Sequence, residues 1–231
     1  AAGTTDAEGR PVKPGSHDPL EDVRFLENEI VMWMYQIISK DWPRTARALD
    51  VRGIDISREL YKKLSGLGIT LANIEDALSE TGLYGKKPTK WTESELKEFV
   101  RVLREKSKPM IIAANKADLP TAEDNIKRLK KEFGERYMVI PTSAESELAL
   151  RRAAAKNLIK YLPGDPDFEV IGGLTEKQLK VLEYIREKVL NKWGSTGVQQ
   201  VINAAFLDML KMIAVFPVEN ENRYTDHHGR V

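Results

Sequence analysis

The chain has 231 residues, 42% of them hydrophobic and 31% charged, and a formal net charge of +1 at pH 7. This is the composition of an ordinary globular protein with a sizeable core, and so balanced a charge gives no argument for nucleic-acid or membrane binding. The absence of cysteine excludes disulfides, zinc–thiolate sites, iron–sulfur clusters and a cysteine nucleophile.

Two further absences narrow the class of protein. No apolar stretch approaches the roughly 18 residues that a membrane span needs, and the first residues lack the layout of a signal peptide, so we expect a soluble protein of the cytoplasm. Only three histidines occur, and the neighbours His227 and His228 lie in a polar stretch that we expect to be solvated. No metal site is therefore predicted.

The first part of the chain predicts a loop followed by helices. Residues 1–18 are rich in Gly, Pro, Thr and Asp. A helix follows, with Asp18 as its expected cap, Pro19 in its first turn and apolar residues at helical spacing, namely Val23, Leu26, Ile30, Met34 and Ile37. Residues 19–90 are expected to hold this helix and a small insertion of short helices, either purely structural or a site for a partner.

Residues 91–231 alternate between helical and strand patterns. A helix that starts with a Thr92–Glu95 capping box is followed by the strand "PMIIAA", the helix "TAEDNIKRLKKEFGE", the strand "RYMVIP" and the helix "LALRRAAAKNLIKYLPG". This alternation predicts an α/β fold with a parallel sheet covered by helices. Two more helices follow, the first with a second capping box at Thr175 and Gln178, and "MIAVFPV" predicts a last strand.

Polar residues follow both predicted strands at the point where each strand ends. The first strand runs into Asn-Lys-Ala-Asp (115–118), and the second runs into Thr-Ser-Ala-Glu (142–145), which we expect to be a loop. Ligands of open parallel sheets bind at the carboxyl ends of the strands. Because one helix separates the two strands, they should be neighbours, and both loops should face the same crevice.

The N-K-x-D pattern after an apolar strand is the one by which P-loop GTPases recognise guanine. Guanine offers two adjacent donors, its ring N–H and its exocyclic amine, and the Asp118 carboxylate can accept from both. Adenine lacks this pair of donors. Since a hydrogen bond to a charged group contributes about 1.5–3 kcal/mol, losing one means roughly ten- to a hundredfold discrimination against adenine.

The other loop residues have complementary expected roles. The stem of Lys116 would lie along the base, and Asn115 would tie the loop to neighbouring backbone. In the second loop, the backbone N–H of Ala144 would donate to the guanine O6, Ser143 would brace the turn, and Glu145 completes the base-binding set. The alternative is that Asn115 and Asp118 only form an Asx turn and cap the next helix, which would begin near Thr121.

Long segments resemble a known family. "KPMIIAANKAD", "VIPTSAESELALRRAAAKNLIKYLPGDPDFEV" and "EKVLNKWGSTGVQQVINAAF" resemble the YchF-type GTPases of the Obg group in their archaeal form. The resemblance implies a Ras-like G domain with a helical insertion, a role in translation with the ribosome or ribosomal RNA as partner, and a following TGS domain. Asp118 stands where ATP-preferring relatives often carry Glu, which favours GTP.

The phosphate-binding half of such a domain is not found in this sequence. No GxxxxGK[ST] motif is present, and Asp6-Ala7-Glu8-Gly9 is not preceded by the apolar strand that a magnesium-binding D-x-x-G requires. We therefore expect residues 1–18 to follow a missing phosphate-binding half, and magnesium to bind only with that half. No catalytic residue is assigned: the parent protein is expected to hydrolyse GTP, whereas this chain alone should bind GTP weakly and not hydrolyse it.

The sequence thus predicts a GTP-binding protein that carries the guanine-recognition loops of a larger GTPase. Two alternatives remain open. The chain is either a non-enzymatic module for interaction with the ribosome or a protein, with inert nucleotide loops, or a member that binds ATP despite Asp118. Nucleotide competition distinguishes these three functions.

Overall fold

The computed structural model describes residues 1–6 and 8–215. The chain folds as two compact units, Ala1–Ser143 and Ala144–Val231. Of the predicted features, His227 and His228 lie outside the described residues. No helix within the described ranges combines the length and apolar character that crossing a bilayer requires.

The first unit begins with irregular backbone and continues as five helices. An antiparallel bridge between Thr5 and Pro11 precedes the helices. The helices are α1 (Pro19–Ser39), α2 (Trp42–Arg52), α3 (Ile56–Leu64), α4 (Leu71–Glu80) and α5 (Glu93–Ser107), with single 3₁₀ turns at Ser65–Leu67 and Pro88–Lys90. The predicted start of α1 is confirmed, because the Asp18 side chain accepts from the Leu20 N–H and Pro19 occupies the first turn.

The five helices enclose one apolar core. Its largest members come from all five helices and the turn before α5, and the rings of Trp42 and Trp91 pack with their centroids 5.1 Å apart. The helix predicted to carry the apolar face of α1 is confirmed, but that side of the helix is covered unevenly. Leu20 and Met34 are buried, whereas Leu26 is 51% exposed. Helical periodicity identifies an apolar stripe but not how far along the helix a neighbour covers it.

A small parallel sheet completes the first unit. It consists of β1 (Ile111–Ala114) and β2 (Met138–Pro141), connected by α6 (Ala122–Phe133). The strands pair in parallel, from Ile111 opposite Met138 to Ala114 opposite Pro141. The prediction that the two strands are neighbours in a parallel sheet is confirmed, as is the fold class of a partial Ras-like α/β domain with added helices.

The second unit is mostly helical. Its elements are α7 (Ala144–Ala155), β3 (Ile159–Lys160), β4 (Glu169–Val170), α8 (Glu176–Ile185), α9 (Asn191–Trp193) and α10 (Val198–Asn203), with π-helical turns at Arg186–Leu190 and Ala204–Met209. β3 and β4 are antiparallel. Residues of α7, α8 and the strands pack into a separate core around Leu150, Phe168 and Leu182.

Three predictions for this unit are wrong. The stretch from Ala144 onward forms the first turn of α7 rather than a loop, and Glu145 and Glu147 favour a helix start by their charge at the positive end of the helix dipole. The same helix ends at Ala155 instead of continuing to Gly164, and Asn157 leaves it with a positive φ of 54°. Of the predicted strand "MIAVFPV", residues 212–215 form no strand, and residues 216–218 lie outside the described range.

Candidate functional site

The carboxyl ends of β1 and β2 bring together two of the segments singled out in the sequence. Ala114 and Pro141 are paired at the last position of the sheet. Beyond it, the Thr142 N–H donates to the Ala114 carbonyl at 3.1 Å, and the Ala117 N–H donates to the Thr142 carbonyl at 3.0 Å. The parallel pairing therefore continues past the strands and holds the loop of residues 115–118 against Thr142.

Side chains also connect the two strand ends. The Ser143 hydroxyl donates to the Asp118 carboxylate, with an Oγ–Oδ1 distance of 2.8 Å. Ser143 is only 1% exposed, and Asp118 is partly buried. The serine that was predicted to brace the turn thus holds the neighbouring loop, and its hydrogen bond restrains the rotamer of the carboxylate.

Lys116 has an unusual backbone conformation. Its φ is +62°, in the left-handed region that residues with a side chain rarely adopt. Its exposed side chain reaches the N-terminal segment, where Nζ donates to Thr4 Oγ1 at 2.6 Å. The preceding Asn115 is also exposed, and its side-chain oxygen accepts from the Lys116 N–H at 2.8 Å. Strain of this kind persists where the surrounding structure determines the backbone, commonly at functional sites.

The N-terminal segment packs beside this loop. The Ala1 amino group donates to the Asn115 carbonyl at 2.9 Å, and the Ala1 carbonyl accepts from the Asn125 amide at 2.8 Å. Thr121 donates to the Ala2 carbonyl at 2.9 Å. The loop is consequently supported by residues more than 100 positions away in sequence.

Gly3 allows the segment to lie this close to the start of α1. Its φ is +60°, and a Cβ added there would lie 2.3 Å from the His17 carbonyl oxygen. His17 in turn contacts the Asp22 carboxylate at 2.6 Å, and this hydrogen bond raises the pKa of His17. A cavity of about 180 Å³ remains between the segment and the loop, lined by Ala1, Gly3, Thr4, Thr5, His17, Pro19, Asp22, Asn115 and Lys116.

The start of α6 bears on the alternative helix-capping role. That helix begins at Ala122, and its N-cap residue Thr121 makes no side-chain capping hydrogen bond. The side-chain oxygen of Asn115 accepts from the N–H of the next residue, Lys116, at 2.8 Å. The capping role of Asn115 and Asp118 stays an alternative.

The remaining predicted residues begin the second unit. Ala144 and Glu145 are both exposed and lie in the first turn of α7. Two residues on, Glu147 is only 3% exposed and accepts hydrogen bonds from Tyr161 and Thr196. Neither Glu147 nor Thr4 was identified from the sequence, because their partners are distant in the chain and no local pattern marks them.

The described residues offer no metal site. Within residues 1–6 and 8–215, no three or more His, Asp or Glu side chains are grouped as a metal ion would require. The segments that follow β1 and β2 provide hydroxyl and amide groups, the Lys116 cation and the partly buried carboxylate of Asp118, and a carboxylate suits a ligand edge that carries donors.

Comparison with known proteins gives a consistent result. Residues 113–220 match the family described as "Obg-like GTPase YGR210-like, G4 motif-containing domain". An uncharacterized GTP-binding protein of Methanocaldococcus jannaschii is 48% identical over 233 residues, covering 100% of this chain and 57% of that protein. One of Schizosaccharomyces pombe is 30% identical, covering 97% of this chain and 56% of that protein.

Similarity extends to a solved structure and to more distant proteins. The crystal structure of a GTP binding protein from Pyrococcus horikoshii OT3 superposes with a TM-score of 0.75 at 42% identity, over 95% of this chain and 58% of that one. The GTPase Obg of Bacillus cereus is 33% identical over 103 residues, or 42% of this chain and 24% of that protein. The chain thus spans somewhat more than half the length of the relatives it matches over its whole extent.

Proposed function

We propose that this chain, whose residues 113–220 match an Obg-like GTPase G4 motif-containing domain, recognises the guanine base of GTP through Asp118. The observation that carries the proposal is the hydrogen bond from Ser143 to Asp118 at the carboxyl ends of two paired parallel strands. It presents a partly buried carboxylate in a fixed rotamer, as recognition of two adjacent N–H donors requires.

The neighbouring residues have supporting roles. Lys116, whose backbone is left-handed, lays its alkyl stem along the base, and Asn115 ties the loop to neighbouring backbone. Ser143 aligns Asp118, and the backbone N–H of Ala144 donates to the guanine O6. Glu145, in the first turn of α7, completes the proposed set of base-binding residues.

Base preference follows from the chemistry of the carboxylate. A carboxylate accepts hydrogen bonds and cannot donate one, so it suits the ring N–H and amine of guanine. Adenine presents a ring acceptor in place of the N–H donor. One lost hydrogen bond to a charged group corresponds to about 1.5–3 kcal/mol, so GTP is preferred over ATP by at least about tenfold.

The experiment is a change of base specificity at Asp118. Asp118→Asn replaces an acceptor by a donor, and it should weaken GTP binding by at least about tenfold while admitting xanthosine triphosphate, whose base has an oxygen where guanine has the amine. Ligand-detected NMR suits the weak binding expected of this chain. The matched control is Asp124→Asn, which makes the same charge change at an exposed position of α6. Equal GTP binding by the two variants would refute the proposal.

We further infer a finer assignment, to the YchF-type proteins of the Obg group. It is supported by the NKAD and TSAE segments and by the archaeal relative. On this assignment, residues 1–18 connect to a phosphate-binding half, residues 19–90 are a helix with a helical insertion, and residues 91–231 carry the base-recognition loops. The whole protein would act in the cytoplasm as a translation-associated GTPase on the ribosome or its RNA, and magnesium would bind with the phosphate-binding half.

A further inference from the structure

Glu147 is a buried carboxylate to which guanine recognition assigns no role. It is 3% exposed and lies on α7, two residues after Glu145. One of its oxygens, Oε2, accepts from the Tyr161 hydroxyl at 2.7 Å and from the Thr196 hydroxyl at 2.6 Å. The other, Oε1, accepts from Arg151 Nε at 2.6 Å.

This arrangement keeps a negative charge in the interior of the second unit. A buried carboxylate is costly unless donors satisfy both of its oxygens, as they do here. Burial alone would raise the pKa of the Glu147 carboxyl, but hydrogen bonds from Thr196, Tyr161 and Arg151 outweigh it, and the pKa is lowered. Burial and the bond to Glu147 raise the pKa of Tyr161 to about 12, so at neutral pH the tyrosine remains a donor.

The three donors come from different parts of the second unit. Arg151 lies one turn further along α7, Tyr161 directly follows β3, and Thr196, which is fully buried, lies in the turn before α10. That turn is itself closed by a bond from the Gly197 N–H to Ser195 Oγ at 3.1 Å. Two segments outside α7 therefore fix the rotation and axial position of its first turn.

We propose that Glu147 is a positioning residue that sets the direction of the Ala144 backbone N–H and thereby the recognition of the guanine O6. The inference rests on the proposed function, in which that N–H donates to O6. Glu147 lies three residues after Ala144, less than one helical turn at 3.6 residues per turn, so whatever anchors Glu147 also fixes the amide of Ala144. Hydrogen bonds prefer an angle above about 150° and weaken steeply below about 120°, so a rotation of the turn that carries the N–H well away from O6 weakens the contact.

The test uses nucleotides that differ in one base atom. 6-Thio-GTP keeps both donors that face Asp118 but replaces O6 with sulfur, a weak acceptor, whereas inosine triphosphate keeps O6 and lacks the exocyclic amine. The full 231-residue chain is titrated with GTP and both analogues by ligand-detected NMR. Glu147→Gln should reduce the preference for GTP over 6-thio-GTP by about threefold or more and leave the preference for GTP over inosine triphosphate unchanged.

The control is Asp167→Asn, which makes the same charge change in the same unit at an exposed carboxylate paired with Arg186. It should leave both preferences at wild-type values. If Glu147→Gln does not fold, Tyr161→Phe and Thr196→Val each remove a single hydroxyl donor and leave the carboxylate its other partners. Each should reduce the 6-thio-GTP discrimination in the same direction by a smaller factor.

The outcomes separate the two proposals. If Asp118→Asn leaves the preference for GTP over inosine triphosphate unaltered, guanine recognition fails and the role of Glu147 fails with it. If Asp118→Asn abolishes that preference while the Glu147, Tyr161 and Thr196 variants keep wild-type discrimination against 6-thio-GTP, the positioning role alone is refuted. Wild-type protein that binds GTP and 6-thio-GTP equally also refutes it, because no O6 contact would then exist to be positioned.

Discussion

The Ser143 hydroxyl donates to the Asp118 carboxylate at 2.8 Å, so a residue that follows β2 holds a residue that follows β1. The two are 25 positions apart in sequence and meet only because β1 and β2 are parallel neighbours. The strand pairing therefore does more than form a sheet: it brings a buried donor to the one carboxylate on which the proposed base recognition depends.

Removal of this hydroxyl should reduce both stability and binding. Ser143→Ala leaves a partly buried carboxylate without one of its donors, and the free energy of unfolding should fall by about 1.5 kcal/mol. GTP binding should weaken too, since the rotamer of Asp118 is no longer fixed. Urea denaturation and ligand-detected NMR measure the two effects. Ser79→Ala, at an exposed position of α4, should change stability by less than about 0.5 kcal/mol.

Because the backbone of Lys116 is left-handed, glycine should be more stabilising than alanine at this position, whereas in a helix alanine is the more stabilising of the two. Lys116→Gly and Lys116→Ala both lose the hydrogen bond to Thr4, so the difference between them reports the backbone. The glycine variant should be the more stable by about 1 kcal/mol, because φ is positive there. At Lys127, in the middle of α6, the glycine variant should instead be the less stable by about 1 kcal/mol. Urea denaturation of the four variants would show the same sign at both sites if the assigned backbone at Lys116 were wrong.

Glu95 should make the folded state sensitive to acid. Hydrogen bonds from Lys86, and then from the Thr92 N–H, lower the pKa of the Glu95 carboxyl to about 2. Since the folded-state value lies below the ordinary value of 4.5, the stabilisation is complete above pH 4.5 and is lost as the pH falls from there through 2. The gap in melting temperature between wild type and Glu95→Gln should therefore be present at neutral pH and close by pH 2.

Two controls accompany this measurement. Glu95→Gln keeps a side chain that completes a capping box, as Gln178 does at the start of α8, so helix capping is preserved. Lys86→Met removes the main cause of the lowered pKa of Glu95, and its melting temperature should differ from that of wild type with the same dependence on pH. The pair is partly exposed, so the gap should shrink in high salt. A difference in melting temperature that stays constant from pH 7 to pH 2 would contradict the stabilisation assigned to the ionised Glu95 carboxylate.

Arg104 should tolerate loss of charge better than loss of volume. It is 1% exposed, and its guanidinium donates to the Tyr137 hydroxyl at 2.5 Å, while its Nε has no partner among the described residues. Nearby Glu27 keeps its ion pair with Arg136 at 2.8 Å whichever residue replaces Arg104. Arg104→Met should thus stay within about 1 kcal/mol of wild type, and Arg104→Ala, which leaves a cavity, should lose about 3 kcal/mol. Equal losses in urea denaturation would indicate that the charge itself stabilises the fold.

Local patterns were sufficient to predict much of the fold from the sequence. The cap at Asp18 and the capping boxes at Thr92 and Thr175 depend only on residues two or three positions apart, and the structure has all three. The parallel pairing of β1 and β2 also follows from the order of elements, because one intervening helix is the usual connection between parallel neighbours.

The site was less predictable, because its geometry depends on contacts distant in sequence. The positive φ of Lys116 belongs to a residue with no intrinsic preference for it, and the contact with Thr4 joins residues 112 positions apart. The charges of Glu145 and Glu147 favour a helix start, but the four residues from Ala144 to Glu147 contain no large apolar residue whose spacing would indicate a helix, so the beginning of α7 was mistaken for a loop. The burial of Glu147 depends on Tyr161 and Thr196, which no periodicity connects to it.

The support that the N-terminal segment gives to the loop of residues 115–118 also has a consequence for the order in which we expect the first unit to fold. The bonds of Ala1 to Asn115 and of Thr4 to Lys116 each close a stretch of more than 100 residues, 114 and 112 positions long. The entropy lost in closing a loop rises with its length, so helices α1 to α5 should condense through their shorter-range contacts before these bonds form. During synthesis, Ser143 emerges 25 residues after Asp118, so the hydrogen bond that aligns the carboxylate can form only once β2 has been made. The onset of nucleotide binding would then report that the two strand ends have come together.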